Sequence, residues 1–199
     1  MPEEPLSKGE RTRLAIQDAA YELFLEQGYS ATSMRQIAKR AGVAVGGIYN
    51  HFASKDAIFE AIIFDRHPYK QIIPLIAVAP GDTAEEFIRN AARALVDELK
   101  RRPDFLKLMF IEIVEFNTKH VSKLMAEIIP QILPLIQRIR SRPESVRPIH
   151  PAIILRAFLG MFFSYYITEM MAANVMPADM RENSLDVFVD IFLHGILSV

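Results

Sequence analysis

The stretch Tyr29–Lys55, YSATSMRQIAKRAGVAVGGIYNHFASK, allows few backbone arrangements. Met34, Ile37, Ala38 and Ala41 recur at i, i+3, i+4 and i+7, the period of one apolar helix face. Thr32 or Ser33 caps that helix, and Ser33 with Gln36 has capping-box spacing. Gly42 follows at once, where a residue with positive φ ends a helix. Val45, Ile48, Tyr49 and Phe52 repeat the apolar spacing, and Ser54-Lys55 opens a further helix. Two short helices joined by a glycine turn match a helix-turn-helix.

Local charge points the same way. Between Ser30 and Lys55 stand Arg35, Lys39, Arg40 and Lys55 and no acidic residue, a bias hidden by the whole-chain net charge of -1. Phosphate binding depends on the local field, not on the total. With Val45, Ile48, Tyr49 and Phe52 inward, the second helix presents Gly46, Gly47, Asn50 and His51 outward. Two helical glycines cost about 1 kcal/mol each against alanine. That cost fits a backbone that must come close to something, such as a major-groove wall. Asn is a residue type that pairs with adenine N6 and N7. The plainer alternative is a solvated face with spacer residues.

These residues resemble the DNA-binding domain of the TetR family of transcriptional regulators. The match runs from Arg11 to Phe64, through Ile16, Ala19-Ala20, Leu23-Phe24 and Gly28, then Thr32-Ser33-Met34-Arg35-Gln36-Ile37-Ala38, Ala41-Gly42-Val43, Gly46, Ile48-Tyr49-Asn50-His51-Phe52 and Ser54-Lys55-Asp56. Two positions depart from the family pattern. Ala44 stands where a hydroxyl residue usually caps the recognition helix, a loss of about 1 kcal/mol, and Gly47 stands where a hydroxyl or Ala is common. The resemblance implies an all-α protein with an N-terminal three-helix DNA-binding head, residues 1–66, and a C-terminal helical ligand-binding and dimerisation domain, residues 67–199. It implies a homodimer on a pseudo-palindromic operator in double-stranded DNA, acting as a repressor released by a small, mostly apolar effector. Thr32, Ser33, Tyr49, His51 and Lys55 are expected on the DNA backbone, Arg35 on backbone or base, and Gly46, Gly47 and Asn50 in the groove, with Val45 counted among the DNA-binding residues.

The rest of the chain reads as helices. Residues 1–9 are expected to be a loose polar arm without signal-peptide character. A first helix spans about Glu10–Gln27, and a fourth starts at Ser54 and ends at Pro68. His67–Pro80 is expected to be the link between the halves, with His67 exposed. Asp82 with Glu85 has capping-box spacing for a fifth helix. The sixth, Asp104–Asn117, is apolar on nearly every side apart from Glu112 and Glu115, which predicts a buried helix. A seventh, His120–Arg140, carries Pro130 and Pro134, and residues 141–150 read as a loop. The eighth, Pro151–Asn174, and a ninth with the stripe Leu185, Phe188, Val189, Phe192 and Ile196 hold more apolar surface than one small domain covers. Phe158, Leu185, Phe188, Val189 and Phe192 are therefore expected at a four-helix dimer interface. An effector pocket between helices five and eight is expected to draw on Phe105, Met109, Phe110, Glu112, Phe116, Met125, Phe162 and Tyr165.

Nothing in the spacing argues for catalysis. Histidines 51, 67, 120, 150 and 194 are scattered, no HExxH or phosphate-cradling glycine loop occurs, and cysteine is absent. No enzyme activity, cofactor or metal is expected. Ala157–Thr168, the longest uncharged stretch of the apolar C-terminal part, is too short to span a bilayer, so a cytoplasmic protein with no membrane partner is expected. The competing reading is a helical carrier or sensor of an apolar molecule without a DNA role.

Overall fold

The computed structural model describes residues 6–140, 147–172 and 175–196. In chain order the helices are α1 (Lys8–Gln27), α2 (Met34–Arg40), α3 (Val45–Ile48), α4 (Lys55–Arg66), α5 (Tyr69–Ala77), α6 (Ala84–Lys100), α7 (Asp104–Phe116), α8 (Lys119–Arg140), α9 (Pro151–Ala172), α10 (Ala178–Arg181) and α11 (Ser184–Ile196). The fold is all-α, and no strand occurs among the described residues. The chain forms two compact units.

The first unit is Met1–His67 together with Asp104–Met125. Capping boxes start two of its helices: Ser7 with Glu10 on α1, and Ser33 with Gln36 on α2. The Ser7 box places Ser7–Gly9 at the start of α1 rather than in a loose arm; residues 1–5 lie outside the described residues. Ile16, Ala20 and Phe24 of α1, Ile37 and Ala38 of α2, Ile48 and Phe52 around α3, and Ile58, Phe59 and Ile62 of α4 form its core. Gly42 has φ 68°, the left-handed turn between α2 and α3. Asp104–Met125 lies beyond the boundary expected at residue 66, yet it belongs to this unit. The reason is aromatic: Phe116 stacks on Phe59 and packs edge-on to Tyr29, both with centroids 4.6 Å apart.

Only one face of α7 is covered. Phe105, Leu106, Leu108 and Glu112 are buried, while Phe110, Ile113 and Val114 are exposed, Val114 by 78%. The helix is apolar all round, but α7 packs on α1 from one side, and periodicity carries no information about how many neighbours a helix has. His67 also departs from expectation. It is half-buried and packs edge-on to Phe105 at 4.9 Å. Burial pushes its pKa from 6.5 down to about 4. The folded protein therefore keeps His67 neutral while the unfolded chain protonates near 6.5. Stability from this group is full above pH 6.5 and is lost progressively as pH falls towards 4, by up to about 3 kcal/mol. Urea unfolding at stepped pH is expected to give this slope, and His67→Leu to flatten it.

The second unit is Pro68–Pro103 with Ala126–Val199. Its centre is α6, which contacts α5, α9 and α11 and buries Phe87, Ile88, Ala91, Ala92, Leu95 and Val96. The capping box of α6 is Thr83 with Glu86, one residue past the expected Asp82–Glu85 pair. Glu86 also accepts from the Asp82 N–H at 2.8 Å. A side chain at Gly81 is excluded, since its Cβ would lie 2.6 Å from the Phe87 nitrogen. The stretch expected as a link contains α5, because Pro68 sits at its N-cap, where no N–H is needed, and Pro74 is tolerated inside it. Likewise α8 is helical through Pro130 and Pro134. Of the expected loop at 141–150, residues 141–146 lie outside the described residues, as does the expected helix end at Asn174. Helix α9 is by length and composition apolar enough to cross a membrane. It nevertheless packs on α6 and α11 and carries Glu169, whose carboxylate pairs with Arg181 at 2.7 Å.

Candidate nucleic-acid interface

Helix α2 and the short α3 present the surface that the sequence singles out. Ser33 caps α2, its Oγ accepting from the Gln36 N–H at 3.3 Å and donating to Gln36 Oε1 at 2.7 Å. Arg35 and Lys39 are exposed and have no ion-pair partner among the described residues. Arg40, the other cation of α2, is turned back onto α1, pairing with Glu22 at 3.0 Å and Glu26 at 2.8 Å. These surface carboxylates offset its charge, so Arg40 adds little to the outward field.

Half of the expected inward stripe of α3 faces out. Ile48 and Phe52 are buried, but Val45 and Tyr49 are exposed, Tyr49 by 54%. The helix has only one turn before the chain leaves it, so i and i+4 no longer share a covered face. Val45, Gly46, Tyr49 and Asn50 thus form one exposed surface with Arg35 and Lys39 nearby in sequence. Ala44 is the N-cap of α3 and makes no side-chain capping bond. A Cβ at Gly46 or Gly47 would meet nothing within 4 Å. The fold itself does not require either glycine. His51 is half-buried, and its carbonyl accepts from Arg13 at 3.2 Å, with the Arg13 guanidinium 4.2 Å above the Phe52 ring.

Two residues expected on the DNA backbone are committed to the head's interior. Thr32 is buried, with its hydroxyl donating to the Gly28 carbonyl at 2.8 Å and accepting from Gln27 at 3.1 Å. No hydroxyl donor remains for a phosphate. Lys55 donates to the carbonyls of Tyr29 and Thr32, both at 2.6 Å, and its ammonium lies 4.0 Å above the Tyr29 ring. Desolvation holds its pKa below the ordinary lysine range, opposed by Glu115. Lys55 therefore ties the start of α4 to the turn after α1.

The residues expected to line an effector pocket divide between the two units. Phe105, Met109, Phe110, Glu112, Phe116 and Met125 belong to the first unit, Phe162 and Tyr165 to the second. Glu112 is buried, its Oε1 accepting from the backbone N–H of His120 and Val121 at 2.6 and 3.0 Å, which caps the first turn of α8. Glu115 accepts from the Ser30 hydroxyl at 2.8 Å. Within the second unit, Tyr165 lies 3.2 Å from Ser184 Oγ. An apolar cavity of about 60 Å3 does exist there, lined among others by Phe87, Ala91, Ile154, Phe158, Leu159 and Phe192. Phe158 and Phe192, expected at a dimer interface, thus face the interior. Val189 and Phe192 are buried in the chain's own core, Leu185 is half-buried, and Phe188 packs on Tyr165 at 5.0 Å. The stripe on α11 was legible, but α6 and α9 of the same chain cover it. Exposed large apolar residues on these helices are Val187 and Ile191 on α11 and Ile153, Met170 and Met171 on α9, among the described residues.

The sequence reading missed one convergence. Asp56 and Glu60 of α4 and His120 of α8 bring their polar atoms within 4.8 Å of one another. The i, i+4 pair on α4 was the available signal; the histidine, some sixty positions away, gave none.

Residues 16–62 match the family model described as "Bacterial regulatory proteins, tetR family". An uncharacterized HTH-type transcriptional regulator of Bacillus subtilis, YvkB, is 24% identical over 93% of this chain and 97% of its own length. SrpR, an HTH-type transcriptional regulator of Pseudomonas putida, is 41% identical over a segment covering 34% of this chain and 32% of SrpR. The solved structure of NalD, the secondary repressor of the MexAB-OprM multidrug efflux pump in Pseudomonas aeruginosa, superposes with a TM-score of 0.66 at 22% identity, over 94% of this chain and 96% of NalD. With the head's motif, its fold and these likenesses in agreement, residues 16–62 form a helix-turn-helix head of the tetR type, and the chain as a whole is similar to HTH-type transcriptional regulators.

Proposed function

We propose that this chain is a homodimeric repressor that reads a pseudo-palindromic operator through α3 and is released by a small apolar effector. The observation that carries the reading is the exposed surface of Val45, Gly46, Tyr49 and Asn50, near in sequence to the exposed cations Arg35 and Lys39, which have no ion-pair partner among the described residues. Unpaired cations release counterions on meeting phosphate. A short helix with no side chain at two positions can come close to a groove wall. Arg35, Lys39 and Tyr49 serve the backbone and Asn50 reads a base. NalD's description as a repressor supports the direction of regulation.

Two copies are needed to read a palindrome. The exposed Ile153 and Met171 of α9 and Val187 and Ile191 of α11 supply an apolar face for a second copy. The effector enters the second unit at the Phe87–Phe158–Phe192 cavity. At about 60 Å3 that space is well below the roughly 300 Å3 of a small ligand site, so binding requires the helices around it to part. The free energy of that opening sets how strongly the effector biases the head. The protein acts in the cytoplasm, where its operator is.

Footprinting on operator DNA tests the reading. Two protected major-groove segments related by a dyad are expected. Asn50→Ala is expected to relax discrimination at one base pair per half-site by about 1–3 kcal/mol, while Tyr49→Ala weakens every sequence alike. Asymmetric protection, or unchanged sequence preference in Asn50→Ala, contradicts it. The glycines give a sharper test. Gly46→Ala and Gly47→Ala are each expected to raise thermal stability by roughly 0.5–1 kcal/mol and still to weaken DNA binding. Variants that gain stability and keep full affinity would show that the groove does not need a bare backbone there.

A further inference from the structure

We propose that Asp56, Glu60 and His120 form a binding site for a divalent transition-metal cation, with zinc as the favoured class. His120 is completely buried, and its Nε2 makes no hydrogen bond among the described residues. That nitrogen points at the carboxylates of α4, 3.4 Å from Asp56 Oδ1. Its other nitrogen, Nδ1, lies 2.8 Å from Glu112 Oε2, also completely buried. Glu112 already accepts two backbone N–H groups through Oε1, as suits an ionised carboxylate, which only accepts. Nδ1 therefore donates to Glu112, and Nε2 is the ring nitrogen left facing Asp56 and Glu60 as a candidate metal ligand. A carboxylate orienting a histidine from behind is the usual outer support of a metal-bound imidazole.

The ligand set suits such an ion. One imidazole with two carboxylates is an N/O/O donor set, fit for Zn2+ and its neighbours rather than for Ca2+. The donor atoms lie within 4.8 Å of one another, so small side-chain rotations bring each to the ~2.0–2.2 Å of a zinc bond. Asp56 and Glu60 are part-exposed, leaving a solvent route and room for coordinated water. The carboxylates are now neutralised by lysines, Lys119 on Asp56 at 3.1 Å and Lys123 on Glu60 at 2.6 Å. Both lysines are more than half exposed and free to swing away. A bound cation would fasten α4 to the start of α8 within the first unit.

The test uses the untagged full chain, stripped by a chelator and titrated with Zn2+ in competition with a chromophoric chelator. One Zn2+ per chain at micromolar affinity or better is expected, with a rise in melting temperature. Asp56→Asn and Glu60→Gln, nearly isosteric and partly exposed, are each expected to weaken binding about tenfold or more. Lys123→Gln is expected to tighten it, because the lysine competes for Glu60. Co2+ is expected to give visible d–d bands that the double variant Asp56→Asn/Glu60→Gln lacks. Absence of binding to the wild type, or equal affinity in the double variant, overturns the proposal.

Discussion

Lys55→Met is expected to destabilise the first unit by about 2–4 kcal/mol, read as a lower urea midpoint at unchanged slope. The ammonium donates to two backbone carbonyls at 2.6 Å and covers the Tyr29 ring. A hydrogen bond to a charged group contributes about 1.5–3 kcal/mol, and a carbonyl left without a partner adds its own penalty. Methionine keeps the apolar stem in place, so the loss isolates the ammonium. DNA affinity is expected to fall as well, for every sequence alike, because the turn that places α2 is loosened. A variant with unaltered stability and weaker DNA binding would instead mean that Lys55 serves phosphate directly, as the family resemblance implied.

Val187→Asp combined with Ile191→Asp is expected to give a folded monomer by sedimentation and to reduce operator affinity by at least about 100-fold. Both side chains are more than half exposed, by 54% and 58%, so the single chain tolerates the charges. At a dimer face, the same charges would be desolvated without partners. Losing the second head removes the effective-concentration gain of two linked sites, which is about 10²–10⁴. Phe192→Asp is the contrasting control. Phe192 is only 4% exposed and lines the cavity, so a charge there is expected to unfold the second unit rather than split a dimer. A dimer that survives the Val187/Ile191 pair would place the contact elsewhere.

These two residue sets indicate what a sequence can and cannot carry. The head was legible because its determinants are local: the Ser33–Gln36 box, the Ser54 cap, Gly42 at positive φ and the apolar stripe of α2. The inward face of α11 was legible too, for the same reason. What covers that face was not. A stripe of Val189, Phe192 and Ile196 reads alike whether the partner is α6 and α9 of the same chain or a second copy. One helical step of 100° separates the buried Phe192 from the exposed Ile191.

Side chains that act over long separations were harder still. Lys55 reads as a surface cation because its partners are main-chain carbonyls of a turn 23 and 26 positions away. Glu112 reads as a pocket carboxylate because its cap on α8 depends on a bend at Asn117–Thr118, both with positive φ and neither glycine. His120 becomes interesting only when α8 is laid beside α4. Prolines carried only half of the local story: Pro68 follows the end of α4 as expected, but it also stands at the N-cap of α5, which continues through Pro74 where a link was expected.

The central claim is that α2 and α3 of this protein bind duplex DNA sequence-selectively. Fluorescence anisotropy with DNA from upstream of its own coding region, against a scrambled duplex at two salt concentrations, tests it most directly. Tight binding that favours the native duplex and falls steeply with salt is the expected result, since Arg35 and Lys39 release counterions on meeting phosphate. Equal, salt-insensitive binding to both duplexes, together with no enriched fragment in a genome-wide selection, would contradict it and leave the apolar cavity of the second unit as the protein's working part.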